Sequence, residues 1–335
     1  MALLASTHPT LLDVAKRLDP DGKVATVVEM LAQQNEVLDD AVWLESNETT
    51  SHVTTVRTGL PAPTWRKLYG FVQPTKSTTV QVRDNTGMLE AYAEVDKALA
   101  DLNGNTAAFR LSEDAAHIEG MNQEQADTLF FGNEGTEPEA FTGLAPRFND
   151  LSAANGQNII DAAGDSDRVS IWLVVWGPNT VHMLYPKGSK AGLQINDKGV
   201  VTVESLGNSV ASAGRMEAYR THYRWDSGMS VRDWRYVVRI ANIDQAALTK
   251  DPATAGADLI DLMTQALEVV QDLTMGRPAF YMNRTLRSIL RRQMVTAVKG
   301  STLQMEEVAG KKVMTFDGIP VRRVDRLTSG ESAVS

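Results

Sequence analysis

Two threonine- and valine-rich stretches, separated by a proline-rich segment, constrain the fold of this chain most. Polar and apolar residues alternate in Val53-Thr-Thr-Val-Arg57 and again in Thr78-Thr-Val-Gln-Val-Arg83, as they do in β-strands. Between them, Gly59-Leu-Pro-Ala-Pro-Thr-Trp-Arg66 contains too much proline for regular structure. The pattern predicts a long hairpin with an irregular tip. Because an isolated hairpin is marginally stable in water, we expect this one to rest on a neighbouring molecule.

The tip of this hairpin carries apolar side chains that such a neighbour would cover. An aromatic residue on a proline-rich turn, here Trp65, is typical of an anchor at a protein–protein interface. The bland alternative is an ordinary surface side chain. As contacts to another subunit we predict Leu60, Pro61, Pro63, Trp65 and Arg66.

The middle of the chain predicts one helix followed by strands. A helix is expected from Ser112 to Phe131, with Ser112 as its N-cap, Ala115, Ile118, Ala126 and Leu129 on one face, and Gly132 at its end. Alternating or wholly apolar runs then indicate strands, whose tryptophans we interpret as core residues. These strands are Val169–Trp176, Val181–Tyr185, Val200–Glu204, Glu217–Trp225 and Trp234–Ile240.

The last hundred residues alternate between helix and strand. An apolar stripe from Leu259 to Leu273 predicts a helix that Gly276 and Pro278 end. A short strand, Ala279–Met282, leads to a helix capped by Asn283 that runs through Val298. Asp317-Gly318 then predicts a tight turn between the strands Lys312–Phe316 and Ile319–Val324.

The two ends of the chain are predicted to form an arm and a tail. The first 45 residues or so are expected to form an arm with a helix over Val24–Leu38, preceded by the turn Asp19-Pro-Asp-Gly22. Residues from Ser329 onward are expected to be a frayed tail. The beginning of the chain lacks the basic region of a signal peptide, and no apolar run approaches the length of a membrane span.

Composition excludes several kinds of chemistry. The 335 residues include no cysteine, which rules out disulfides, thiolate metal sites and a cysteine nucleophile. A net charge of −9 argues against a protein that grips nucleic acid. One basic run could still touch nucleic acid, although we interpret it as a solvated or subunit-facing side of a helix. Its members are Arg284, Arg287, Arg291 and Arg292.

No motif predicts catalysis or a cofactor. The phosphate-binding loop, the dinucleotide fingerprint and the nucleophile elbow are all missing from the sequence. Glu113 and His117 share a helix face and could begin a metal site, but a solvated pair is the simpler interpretation. Asp19-Pro-Asp-Gly22 resembles part of a calcium loop without its final acidic residue, so we interpret it as a turn. We therefore predict no catalytic, cofactor-binding or metal-binding residue.

Several short sequence motifs resemble those of a known family. Asp39-Asp-Ala-Val-Trp43, Thr54-Thr-Val-Arg-Thr-Gly-Leu-Pro61, Lys76-Ser-Thr-Thr79 and Gly87-Met-Leu-Glu-Ala-Tyr92 are similar to coat proteins of short-tailed phages (podoviruses) of the epsilon-fifteen and Bordetella-phage type. Two further motifs are similar to axial-domain motifs of many such proteins. They are Tyr281-Met-Asn-Arg-Thr-Leu286 and Phe316-Asp-Gly-Ile-Pro-Val321. The resemblance runs through nearly the whole chain.

This resemblance implies an α+β chain with the Hong Kong 97-type phage capsid fold. Its parts would be an N-terminal arm (1–48), an extended hairpin or E-loop (49–92), a spine helix with peripheral-domain strands (93–255, with room for an insertion around 186–230), an axial domain with a returning strand (256–328) and a tail (329–335). The E-loop would overlap an adjacent subunit, and the arm would tie neighbours together.

The function implied is that of a major capsid protein assembling into hexamers and pentamers of an icosahedral shell. Expected partners are the protein itself, portal and scaffolding proteins, and packaged double-stranded DNA, which is contacted non-specifically. A cement or decoration protein is a further candidate. No membrane is expected. The expected location is the virion, assembled in the bacterial host cytoplasm. The alternative is a cytoplasmic α/β hydrolase or transferase with an unrecognised site.

Overall fold

The computed structural model describes residues 33–102, 106–205, 214–251, 256–296, 303–308 and 311–335. Helices there are α1 (Val37–Asp40), α2 (Lys97–Ala100), α3 (Thr106–Phe131), α4 (Leu259–Val269) and α5 (Arg284–Thr296). The strands are β1 (Trp43–Glu45), β2 (Ser51–Gly59), β3 (Thr78–Asp96), β4 (Ile159–Asp161), β5 (Arg168–Trp176), β6 (Val181–Tyr185), β7 (Gln194–Ser205), β8 (Gly214–Val231), β9 (Val237–Asp244), β10 (Arg277–Met282), β11 (Leu303–Val308), β12 (Lys311–Phe316) and β13 (Ile319–Arg323). The predicted α+β class is confirmed.

The described residues fall into two compact units. One comprises Gln33, Met88–Gln125 and Gly192–Asp226, and the other Gln34–Gly87, Ala126–Ala191 and Ser227–Ser335. In the larger unit, β5 lies between the antiparallel strands β9 and β10, and β10 pairs in parallel with β13. Eight of the nine residues of β5 are buried, so this strand is the centre of the larger unit.

Successive side chains of β5 serve two separate cores, because strand residues point alternately to opposite faces. Ile171 and Leu173 pack with α4 and α5, where Met263 and Leu290 are fully buried. Trp172 and Trp176 face the opposite core, and the Trp176 indole donates to the hydroxyl of Tyr281 at 2.7 Å. The prediction that Trp172 and Trp176 are core residues is thus confirmed, whereas Trp225 and Trp234 are only partly buried.

The C-terminal segment, residues 329–335, is docked onto the larger unit, so the prediction of a frayed tail is wrong. Val334 is buried and exchanges two hydrogen bonds with the Asn242 side chain, at 2.9 and 3.0 Å. Glu331 pairs with the buried guanidinium of Arg239 at 2.7 Å and accepts from the Ser170 hydroxyl at 2.5 Å. The buried arginine needs an acidic partner, and Glu331 supplies it.

Most predicted elements are confirmed, with corrections at their ends. Helix α3 begins by Thr106, not at Ser112, because the preceding residues are good helix formers and Phe109 packs on Val95. Its predicted face is also partly wrong, since Ala115 and Ile118 are exposed.

Several later boundaries differ as well, among them those of α4 and β9. Helix α4 ends at Val269 instead of at Gly276, because Val270 is extended and buries its side chain in the core. Trp234 lies in a short 3-10 turn capped by Asp233, so the strand begins only at Val237.

The motifs near the end of the chain that resemble the axial domain fold as predicted. The side chain of Asn283 accepts from the backbone N–H of Leu286 at 2.8 Å and caps α5. Strands β12 and β13 pair across Asp317 and Gly318, whose φ values of 48° and 79° are those of a primed hairpin turn.

The N-terminal arm is described only in part. The turn at residues 19–22 and most of the helix predicted over residues 24–38 lie outside the described residues. The stretch from Gln34 to β1 belongs to the larger unit: Val37 is fully buried, and β1 pairs in parallel with β6.

The smaller unit is an antiparallel arrangement of β7, β8 and β3 with α3 on one face. Ala93, Met121 and Tyr223 pack together on the helix side. On the other side, Arg220 pairs with Glu94 at 2.6 Å. Alternation along β3 thus separates a small core from a charged face.

Candidate intersubunit surface

The long hairpin predicted from the sequence is present. Strands β2 and β3 pair antiparallel from Ser51 opposite Asn85 to Arg57 opposite Thr79, and the register then shifts at Gly59. A side chain at Gly59 would displace the hydroxyl of Thr78, because a Cβ there would lie 2.5 Å from the hydroxyl oxygen. Beyond this bulge, residues 60–77 have no regular structure. We call residues 60–77 the tip.

The opposite end of the hairpin is firmly anchored. We call residues 47–52 and 84–87 the root. Asp84 is buried and pairs with Arg147 at 2.9 Å. The Asn47 side chain donates to the carbonyl of Val53 and accepts from its backbone N–H, at 2.8 and 2.9 Å. These contacts hold the root of the hairpin in place within the larger unit.

A buried histidine also lies at the root. The His182 ring on β6 meets the ring of His52 edge to face, with 5.8 Å between centroids. Burial, and secondly the positive charge of Arg232, lower the pKa of His182 to about 4. Burial and Arg232 also lower the pKa of His52. Both imidazoles are therefore neutral at pH 7, as a site with little water requires.

The side chains of the tip, in contrast, are largely exposed. All five predicted contact residues are exposed, and Trp65 is fully so, at 105%. The structure adds four large apolar side chains that sequence reasoning missed, although they follow Trp65 directly in the same proline-flanked segment. They are Leu68, Tyr69, Phe71 and Val72, each more than half exposed. A contiguous exposed apolar stretch of this kind marks an interaction site.

Among the described residues, the other predicted candidates do not assemble into a site. His117 stacks on the ring of Tyr223 with 6.3 Å between centroids, and no group of three metal-ligating side chains occurs among the described residues. Of the basic run, Arg284, Arg291 and Arg292 are exposed, while burial lowers the pKa of the half-buried Arg287. Within the part of the chain that the structure describes, no helix is long and apolar enough to cross a membrane.

The chain is similar to proteins of phage shells. The family described as "Major capsid protein GP7" matches residues 19–335. A chain in the solved structure of bacteriophage Epsilon15 is 41% identical, with a TM-score of 0.76, and the match covers 100% of this chain and 99% of that one. The bacteriophage JBD30 capsid is 12% identical over 90% of this chain and 93% of that chain, with a TM-score of 0.46, too distant for any conclusion. No curated protein sequence matches.

These findings define the class of protein first: the fold is the Hong Kong 97-type fold of phage capsid proteins. The chain belongs to the major capsid protein GP7 family. Its role is structural, in the capsid of a phage virion, and the alternative of an α/β hydrolase or transferase finds no support.

Proposed function

We propose that this chain assembles into hexamers and pentamers of an icosahedral shell that encloses phage double-stranded DNA, and that it catalyses no reaction. The observation that carries this proposal is the hairpin, anchored at its root and exposed along an apolar tip. A soluble protein rarely leaves so many large apolar side chains uncovered, and a second subunit would cover them.

The contact residues are those predicted from the sequence, Leu60, Pro61, Pro63, Trp65 and Arg66, extended by Leu68, Tyr69, Phe71 and Val72. Trp65 is the expected anchor, because a rigid aromatic side chain buries much surface at little loss of conformational entropy. Each contact can be weak, since a closed shell sums many of them and assembly becomes steep in concentration.

The family's domain organisation would apply with the boundaries given above: arm 1–48, E-loop 49–92, spine helix and peripheral domain 93–255, axial domain 256–328, tail 329–335. The further partners are portal and scaffolding proteins and packaged DNA, which is contacted non-specifically. A cement protein is a further candidate. Assembly would take place in the host cytoplasm.

Electron microscopy tests the proposal directly. The protein is expressed alone and together with its neighbouring phage genes, and the lysates are separated by sedimentation and imaged in negative stain. Closed shells, or tubes of hexameric rings, are the expected result. A small monodisperse oligomer under every condition contradicts the proposal.

A further inference from the structure

Residues 49–82 of the hairpin form a basic segment in an acidic protein. The whole chain contains 33 Lys and Arg against 42 Asp and Glu, yet residues 49–82 contain no acidic residue at all. Their basic residues are Arg57, Arg66, Lys67 and Lys76. All four side chains are exposed, and none forms an ion pair with another described residue. The tip therefore combines positive charge with exposed aromatic surface.

A second segment has the opposite composition. Residues 111–146 contain no Lys or Arg, so no basic residue within the segment balances its negative charge. The acidic residues of this segment are Glu113, Asp114, Glu119, Glu124, Asp127, Glu134, Glu137 and Glu139. Asp127 is paired with Arg326 at 2.7 Å, whereas Glu137 and Glu139 are exposed and form no ion pair with a described residue.

Glu137 and Glu139 lie on an ordered loop. We call residues 132–140 the acidic loop. The backbone N–H groups of Thr136 and Glu137 both donate to the carbonyl of Asn133, at 3.0 and 2.9 Å, and that of Ala140 donates to the carbonyl of Glu137 at 3.0 Å. These turns hold the two carboxylates on a fixed backbone, so little entropy is lost when a partner binds.

The acidic loop lies beside the root of the hairpin. A Cβ on Gly87 would come within 2.7 Å of the carbonyl oxygen of Glu139, so β3 and the loop are in close contact there, and the side chain of Asn85 donates to the carboxylate of Glu134. The tip begins beyond Gly59, eight residues along β2 from Ser51. At the rise of a β-strand this separates the start of the tip from the root by about 25 Å. The tip therefore lies far from the acidic loop of its own chain.

We infer that the basic tip of one copy binds the acidic loop at the hairpin root of a second copy. The inference rests on the proposed function and names the surface that receives the tip. Opposite charge would steer and orient the encounter, while Trp65 and its apolar neighbours would supply buried area. A tip-to-root contact joins two different surfaces, and such a heterologous contact gives a ring when the rotation between copies closes, which is the geometry that a hexamer or pentamer requires.

Nucleic acid is the other polyanion that a basic hairpin could contact. A DNA backbone would pair with Arg66 and Lys67, but it offers no surface that covers Trp65, Phe71 and Leu68. The net charge of −9 also disfavours binding to DNA. A second copy satisfies both the charge and the apolar surface, so we assign the tip to protein.

A charge swap tests the inference. The tip variant is Arg66→Glu with Lys67→Glu, the loop variant is Glu137→Lys with Glu139→Lys, and the swapped chain carries all four changes and has the net charge of the original. The matched control is Lys187→Glu with Lys198→Glu, two exposed lysines outside both segments. Each chain is co-expressed with the neighbouring phage genes. The protein in closed shells is quantified by sedimentation and microscopy, and circular dichroism verifies that subunits are folded.

The tip and loop variants should each lower the yield of shells about tenfold or more, the control should not, and the swapped chain should recover most of the yield. Failure of the swapped chain to recover, while the control and the original form shells, overturns the tip-to-loop pairing and leaves the proposed function standing. Normal shells from the tip variant with reduced DNA content overturn it in favour of nucleic acid. If the original chain forms no shells at all, the proposed function itself fails.

Discussion

The hairpin tip and the C-terminal segment of the larger unit reverse what their compositions suggest. The tip is rich in aromatic and aliphatic residues, yet Trp65 and Phe71 are almost fully exposed. The C-terminal segment, Ser329-Gly-Glu-Ser-Ala-Val-Ser335, is small and polar, yet Val334 is buried and Glu331 forms a buried ion pair. The difference shows that burial depends on which partners the fold provides. The tail finds its partners in its own chain, and we propose that the tip finds them in another.

The largest effect on subunit stability is expected from Glu331→Ala. This change leaves the buried guanidinium of Arg239 without its partner, and breaking such a pair typically reduces the free energy of unfolding by about 3–5 kcal/mol. Denaturant unfolding of the unassembled subunit measures it. The matched control is Arg239→Met combined with Glu331→Leu, which removes both charges and should recover much of the loss. Unchanged stability of Glu331→Ala would show that the tail is not docked in solution.

The buried histidine at the root gives the next effect. Because the folded state lowers the pKa of His182 from 6.5 to about 4, the unfolded chain binds the proton more tightly. Stability is thus complete above pH 6.5 and falls as the pH drops towards 4, by up to about 3 kcal/mol. His52, Asp84 and Arg232 are the other charged or titratable groups that act on this ring.

Unfolding of the subunit measured at several pH values between 7 and 4 checks this slope. His182→Gln should flatten the dependence in that window. An equal slope in both proteins would mean that His182 does not remain neutral when folded.

A smaller effect is expected from Val334→Ala. The change removes two buried methyl groups but keeps the backbone hydrogen bonds to Asn242, so the free energy of unfolding should fall by about 1–2 kcal/mol. Ala333→Gly next to it serves as a comparison for changes in chain flexibility. A loss no greater than that of the comparison would place Val334 outside the core.

The smallest effect on the subunit, and a large one on the shell, is expected from Trp65→Ala. A fully exposed side chain contributes little to folding, so the free energy of unfolding should change by less than about 0.5 kcal/mol. The heat resistance of assembled particles should nevertheless drop, because an interface anchor is lost. Particles as resistant as the original would remove Trp65 from the interface and weaken the contrast between tip and tail.

Local patterns predicted the elements whose signals are contained in a few adjacent residues. Asp317-Gly318 specifies a turn by its backbone preferences, Asn283 caps a helix with its own side chain, and the run Val169–Trp176 is apolar enough to be a central strand. The hairpin was predictable for the same reason, as was the exposure of its proline-rich tip.

Other features depend on residues far apart in the sequence. The end of α4 at Val269 follows from the burial of Val270 among residues of several other elements. Neither the position of the acidic loop beside Gly87 nor the burial of His182 against His52 leaves a local pattern.

The sequence by itself determined the α+β class, the hairpin, its uncovered tip and the family resemblance, because each depends on short-range periodicity, turn residues or sequence motifs. Only the tertiary structure decided that the polar tail is docked and that an acidic loop lies at the hairpin root. The physical reason is that buried polar groups are stabilised by specific partners. Arg239, Asn242 and Ser170 are 92, 92 and 161 positions from their partners in the tail, a distance over which sequence patterns carry no signal.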